Sequence, residues 1–138
     1  MKKILLSGLV AGFVMLIVSM IISALFGIVF PSLQTEYSNP NLFRSWSDPL
    51  MSLYFVYPFV LGLILAWVWD KTKGLFKEKI FWKNAVNFAF GYWLVASVPG
   101  MLITYSSFPL SLIIVLSWTV GGLVQAVCAA LVYSKMNQ

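Results

Sequence analysis

The chain has 138 residues, of which 61% are hydrophobic and only 9% charged, and its formal net charge is +5. An average soluble domain is about one quarter charged and less than half apolar. A chain this small has too much surface for its volume to hide so many apolar side chains from water. The composition therefore excludes a soluble globular domain and predicts an integral membrane protein.

The inventory of reactive side chains is short. There is no histidine and only one cysteine, Cys128. Haem and zinc sites built on histidine are excluded in this chain, and one thiolate is too few for a structural metal site or an internal disulfide. We therefore expect no cofactor, no metal and no catalytic residue. Because the basic residues flank apolar segments, we also expect no nucleic-acid partner.

Four apolar segments are long enough to cross a bilayer, which takes about 20 residues in a helix. They cover residues 4–30, 50–69, 84–105 and 110–134. These segments predict an all-α membrane protein, a single domain of four transmembrane helices arranged as two antiparallel helical hairpins. Residues 31–49 then form an external loop, and residues 70–83 form a basic cytoplasmic loop.

Basic residues mark one side of this arrangement. Eight of the nine fall beside helix ends that share that side, and only Arg44 lies on the other. Positively charged loops stay in the cytoplasm, so we predict a multi-pass protein of the plasma membrane with both termini cytoplasmic. Basic residues beside a span attract anionic lipids. We expect such contacts at Lys71, Lys73, Lys77, Lys79 and Lys83.

Proline and small polar residues predict several helix ends. Pro31 disfavours helical geometry at the residue before it and so ends the first helix. Asp48 followed by Pro49 is typical of an N-cap and a first-turn proline. Ser107, with Pro109 two residues later, is a weaker version of this pattern and predicts the start of the fourth helix.

Small residues in two helices predict close helix packing. The first segment contains Gly8 and Gly12, and the fourth contains Ser117 and Gly121, each pair at four-residue spacing. Small residues let the backbones of membrane helices approach closely. Either these residues pack the bundle internally, or they form the interface of a dimer or hetero-oligomer.

Prolines interrupt two spans. Pro58 lies inside the second segment, and Pro99 with Gly100 lies well inside the third. Proline removes a backbone donor and kinks or breaks a helix, so a neighbouring group such as Ser97 must satisfy the freed carbonyl groups. The breaks either shape the bundle or line a transport site, as broken helices do in some transporters.

Polar side chains within the spans are few. Gln125 is the most strongly polar residue deep in a segment, and residues at that depth usually face the bundle interior and find a partner. It makes either an interhelical hydrogen bond or a contact with a ligand or ion. Asn84 and Asn87 share one face near the inner end of the third segment. They form either a polar pocket or the wet end of a helix.

The external loop contains three charged residues, Glu36, Arg44 and Asp48. Arg44 is placed to bridge either acid, although exposed pairs contribute little stability. Trp46 and its aromatic neighbours favour a loop that folds back over the mouth of the bundle, as a cap or as a surface for a partner.

Proton-coupled transporters use acids or histidines inside the membrane, and the four segments contain no charged residue. We therefore predict a small non-catalytic membrane protein, either an accessory or scaffolding subunit or a binder of lipids or an apolar ligand. The alternative is an oligomeric channel or transporter that uses Gln125, the Pro99 break and the two asparagines. A homo-oligomer or a membrane-protein partner is compatible with both.

Overall fold

The computed structural model describes residues 1–137, which form helices, turns and loops without a β-strand. Its helices are α1 (Lys2–Val29), α2 (Ser32–Tyr37), α3 (Leu53–Thr72), α4 (Phe81–Tyr92), α5 (Val98–Ser107) and α6 (Leu112–Met136). A 3-10 turn precedes α3 at Pro49–Ser52 and another follows it at Lys73–Leu75, while a π-helical segment, Trp93–Ser97, joins α4 to α5.

The helices form four stretches that are long and apolar enough to cross a membrane. They are Lys2–Val29, Pro49–Leu75, Phe81–Ser107 and Leu112–Met136. The predicted all-α class and the four membrane-length helices are thus confirmed. The second and third stretches extend past their apolar segments at both ends. The first begins two residues earlier and ends one residue earlier than its segment, and the fourth is displaced by two residues toward the C-terminus.

Of two helix starts predicted from capping patterns, the structure has one as predicted and the other at a different residue. Asp48 accepts a hydrogen bond from the Leu50 amide at 2.9 Å, and Pro49 takes the first position of the turn, as expected. The prediction that Ser107 begins the fourth helix is wrong, because Ser107 is the last residue of α5. Pro109 keeps the residue before it extended, so the chain cannot turn helical there. The next serine, Ser111, accepts the capping hydrogen bond of α6.

Helix α1 packs between α3 and α6, and α4 packs on the far side of α6. The contact between α1 and α3 is made by backbone. A Cβ atom added to Gly12 would lie 2.7 Å from the Phe59 Cα, and one added to Gly62 would lie 2.5 Å from the Gly8 carbonyl oxygen. The glycine pair of α1 therefore packs within the chain, against a third glycine that the sequence patterns did not single out.

Helix α6 contributes small residues to the core as well. Ser117 is buried, and its hydroxyl donates to the Ile114 carbonyl at 2.7 Å. Gly121 faces Ile22 of α1, which an added Cβ would meet at an ordinary 3.5 Å. The predicted packing residues of both helices thus lie at contacts inside the monomer.

The densest part of the core lies toward one end of the bundle. Alanines there are nearly or fully buried on every spanning helix, which allows the helices to approach closely: Ala11, Ala66, Ala85, Ala89, Ala126, Ala129 and Ala130. The Tyr133 hydroxyl donates to the Gly62 carbonyl at 2.9 Å and joins α6 to α3. Gly62 therefore lets α1 approach closely because it has no side chain, and it binds α6 through its carbonyl group.

Candidate functional site

The basic residues converge on the end of the bundle where the core is densest. The Trp69 indole donates to the Asn137 carbonyl at 3.0 Å, which joins the end of α3 to the residue after α6. Ile4, near the start of α1, packs against the same core cluster. The lysines that flank these helix ends and the intervening loop therefore share one end of the molecule, called here the basic end.

A groove of about 420 Å³ opens at the basic end. It lies between the loop that joins α3 to α4 and the last residues of α6. Aromatic rings, lysines and amides line it, including Trp69, Phe76, Phe81, Lys73, Lys79, Asn84 and Asn137. Its volume falls in the range of typical small-molecule sites, about 300–1,000 Å³.

Three interlocked rings make one wall of the groove rigid. Trp69 and Phe76 stack with ring centroids 5.8 Å apart and planes 5° from parallel. Phe88 meets both rings edge-on, with centroid distances of 5.2 and 6.0 Å. Such edge-to-face contacts add stability beyond the burial of area alone. The loop is thereby fixed to α3 and α4 through Phe76.

A polar network beside these rings joins the end of α3 to Asn137. The Lys73 ammonium donates to the Asn137 side-chain oxygen at 3.1 Å and pairs with Asp70 at 3.2 Å. The Asn137 amide also donates to Asp70 at 3.3 Å. Asn137 is only 3% exposed. No sequence pattern had indicated it, because it lies past the apolar run and meets α3 only in the folded bundle.

The two predicted asparagines of α4 do not form one pocket. The Asn84 side chain accepts from the Glu78 amide at 3.1 Å and donates to the Glu78 carbonyl at 3.0 Å. It therefore fixes the loop that borders the groove. Asn87 is exposed and lines neither the groove nor the cavity described below.

The remaining lysines differ in their relation to the groove. Lys79 lines it and forms no ion pair with another residue among 1–137. Lys71, Lys77 and Lys83 are exposed at the same end but lie outside it. One ammonium group is thus available inside the groove beside the paired Lys73.

A second, smaller cavity of about 40 Å³ lies between the helices near the middle of the bundle. It brings together two polar residues predicted from the sequence, Gln125 and Ser97, with the tyrosines Tyr57 and Tyr92. Gln125 is 13 residues from the first and 11 from the last residue of α6. At 1.5 Å per residue it lies about 20 and about 17 Å from the two ends, near mid-membrane.

The π-helical segment explains how Tyr92 and Ser97 reach the same cavity. Pro99 has no amide hydrogen and its ring would clash with the carbonyl four residues earlier. The backbone instead adopts the wider turn, and the Val98 amide donates to the Trp93 carbonyl. Residues five apart lie about 140° apart around an α-helix, whereas the i→i+5 bond of a π-turn aligns them. The predicted interruption is therefore a π-segment.

Two other residues were predicted to interrupt helices, Pro58 and Gly100. Pro58 packs against α1, whereas Gly100 has no packing contact at the position of a side chain. Pro58 is buried in α3, which continues through it, and its carbonyl oxygen lies close to Gly12 of α1. Gly100 has open space where a side chain would stand. Its carbonyl accepts a hydrogen bond from Thr104 at 2.8 Å.

The segment between α1 and α3 separates its two acids. Arg44 pairs with Asp48 at 3.0 Å, whereas Glu36 accepts a hydrogen bond from the Ser111 amide at 2.7 Å. The Leu50 amide and the Arg44 guanidinium together hold the pKa of Asp48 below its ordinary value. Glu36 thus connects the loop to the start of α6, and Arg44 orders the approach to α3.

Aromatic residues complete the fold-back of this loop. The Trp118 indole of α6 donates to the Tyr37 hydroxyl at 2.8 Å, and Phe43 packs edge-on against Trp118. Burial raises the pKa of Tyr37. Trp46 is 67% exposed and contacts Tyr54 at the start of α3. The loop therefore folds onto the bundle at α6 and leaves Trp46 on the outside.

Chemically, the groove offers cationic and amide donors beside aromatic walls, and the mid-membrane cavity offers hydroxyl and amide groups without charge. Within residues 1–137 no group of three or more His, Cys, Asp or Glu side chains is arranged to hold a metal ion. The chain matches no protein-family model, no curated protein and no solved structure.

Proposed function

We propose that this chain is a non-catalytic membrane protein that binds the headgroup of an anionic lipid in the groove at its basic end. In this proposal its helices form two antiparallel hairpins in the plasma membrane, with both termini cytoplasmic. The absence of histidine and of charged side chains within the predicted spans supports a binding role over catalysis. The observation that carries the proposal is the cationic groove at the basic end.

Charge distribution supports an anionic ligand. Eight of the nine basic residues lie at the basic end, with only two of the four acids, Asp70 and Glu78. Asp70 is already paired with Lys73. A phosphate group in the groove would meet the Lys79 ammonium, and cytoplasmic leaflets are rich in such headgroups.

The position of the groove favours a lipid over a soluble anion. It lies where the apolar spans end, which is the level of the headgroups in a bilayer. Exposed aromatic residues surround it, with Phe81 51% and Trp82 47% exposed. Such amphipathic rings concentrate at membrane interfaces. A lipid headgroup would enter the groove from the side while its acyl chains stay along the helices.

Lys79 and Lys77 provide a matched pair for a test. Both are exposed lysines of the same loop, neither forms an ion pair within residues 1–137, and only Lys79 lines the groove. Lys79→Gln and Lys77→Gln therefore make the same charge change inside and outside the site. Neither change removes an ion pair of the described fold.

The test is native mass spectrometry of the full chain in detergent with added phosphatidylglycerol or phosphatidylcholine. A lysine that contacts an anionic headgroup contributes about 1 kcal/mol, so Lys79→Gln should weaken phosphatidylglycerol binding about fivefold. Single lipids in detergent present no charged surface, so Lys77→Gln should change binding less than twofold. Equal effects of the two variants, or equal binding of the two lipids, would refute a headgroup site in the groove.

A further inference from the structure

The amide of Gln125 has no hydrogen-bond partner among residues 1–137. A polar group left unsatisfied in hydrocarbon costs several kcal/mol. No fully buried side-chain nitrogen or oxygen in the described chain lacks a partner, so the unpartnered Gln125 amide is not sealed inside protein. It opens on the mid-membrane cavity that it lines, where a molecule from outside the chain can satisfy it.

Three residues that carry hydroxyl groups line the same cavity, namely Tyr57, Tyr92 and Ser97. Tyr92 and Ser97 approach each other at this cavity, which both residues line. The π-segment produces this approach, because an uninterrupted α-helix would place the two residues on different faces. The cavity therefore presents one amide and several hydroxyls, each able to donate and to accept a hydrogen bond.

The size and charge of the cavity restrict its ligand. A water-sized group takes about 10–15 Å³ of such space, so about 40 Å³ admits only a few polar atoms. None of its lining residues is charged. A charged headgroup in this low-dielectric setting would lack a counter-charge, which is strongly unfavourable. The cavity is thus suited to a small uncharged polar group.

The rest of the ligand has to lie in the bilayer. Tyr57 is 58% exposed although it lines the cavity, so the cavity borders the lipid-facing surface beside α3. Helix α3 packs mainly against α1, and its contacts with α4 are few. A molecule with an apolar body therefore has a lateral approach to Gln125 from the membrane.

We propose that the mid-membrane cavity binds the hydroxyl head of an uncharged, long-chain membrane alcohol. The hydroxyl donates to or accepts from the Gln125 amide beside Ser97 and Tyr92, and the apolar body lies against α3 in the bilayer. This site is separate from the groove at the basic end and does not depend on the proposed headgroup binding. Diacylglycerol and polyisoprenoid alcohols both carry this chemistry.

The test uses the full chain in phosphatidylcholine nanodiscs with a diazirine-labelled diacylglycerol, followed by peptide mass spectrometry after illumination. Labelling should concentrate on residues 57–65 and 92–97, and a matched diazirine-labelled phosphatidylcholine should not label them preferentially. Unlabelled diacylglycerol competes with the probe in one arm and a polyisoprenoid alcohol in the other. The competitor that lowers the labelling more is the alcohol that the cavity prefers. Labelling spread evenly over the lipid-facing surface would overturn the proposal.

Substitutions distinguish binding of the probe in the cavity from labelling of any surface that is exposed to lipid. Gln125→Leu should lower labelling of residues 57–65 about threefold, as expected for one hydrogen bond within a membrane. Ser97→Ala changes the same cavity with little loss of volume and should lower labelling in the same direction, which keeps the test valid if Gln125→Leu fails to fold. Asn87→Leu removes an exposed amide elsewhere on α4 and should have no effect. Unchanged labelling in the folded cavity variants would show that water alone occupies the cavity.

Discussion

The contact between α1 and α3 predicts that Gly62→Ala strongly destabilises the bundle. The new Cβ would lie 2.5 Å from the Gly8 carbonyl oxygen and 2.8 Å from the Gly12 nitrogen. Both are backbone atoms, so the helices must separate by about 1 Å to reach ordinary contact distances. That movement also strains the hydrogen bond from Tyr133 to the Gly62 carbonyl.

The magnitude follows from opposing effects. Overpacking costs about 1–3 kcal/mol, and rigid backbone neighbours favour the upper half of that range. Loss of the Tyr133 bond adds about 0.6 kcal/mol. The better helix propensity of alanine offsets about 1 kcal/mol. We therefore expect Gly62→Ala to lower the free energy of unfolding by about 1.5–2.5 kcal/mol.

The assay is equilibrium unfolding in mixed micelles by titration with sodium dodecyl sulfate, followed by circular dichroism. Gly91→Ala is the matched control, because Gly91 is also inside a helix and a Cβ there meets nothing within 4 Å. That control should gain up to about 1 kcal/mol. If Gly62→Ala is as stable as the wild type or more so, the backbone contact between α1 and α3 is wrong.

Three further predictions concern single hydrogen bonds. Tyr133→Phe should lower the free energy of unfolding by about 0.6 kcal/mol in the same titration, since it removes the bond to Gly62 but keeps the ring. Ser111→Ala should cost about 1 kcal/mol by removing the N-cap of α6, and an unchanged midpoint would contradict that cap. The Leu50 amide lowers the pKa of Asp48 in the folded state. Ionised Asp48 therefore stabilises the fold above about pH 4, and this stabilisation is lost as the pH falls through the pKa of the folded state. Asp48→Asn should therefore flatten the acid limb of a plot of thermal stability against pH, and an unaltered limb would assign that pH dependence to another group.

Sequence patterns were most informative where a single helix decides the outcome. The four apolar segments predicted the four membrane-length helices, because each span must satisfy its own backbone hydrogen bonds and match the bilayer thickness. Asp48 and Pro49 indicated a helix start for the same reason, since capping involves neighbouring residues only. The error at Ser107 arose where two serines flank one proline, and the extended residue before Pro109 favoured Ser111.

The candidate sites could be anticipated only in part. Gln125 and Ser97 were predicted as candidate sites because they are polar residues within spans, but their meeting in one cavity depends on the π-segment at Trp93–Ser97. Pro99 predicted an interruption without predicting its form, because a kink, a break and a π-turn all accommodate the missing amide hydrogen. Asn84 was expected at a polar site and lines the groove, where it fixes the loop through Glu78.

The low charge and high apolar content of the chain by themselves determined the class of protein. The lengths of its apolar segments determined the number of spans, and the sequence showed which helix ends carry lysines. Only the tertiary structure decided which of those ends meet, and so created the groove between Trp69 and Asn137 and the close contact at Gly62. These contacts join residues 50 to 71 positions apart. Hydropathy and capping depend on local sequence, whereas such contacts depend on how the helices pack, which is set by the shapes of all four surfaces together.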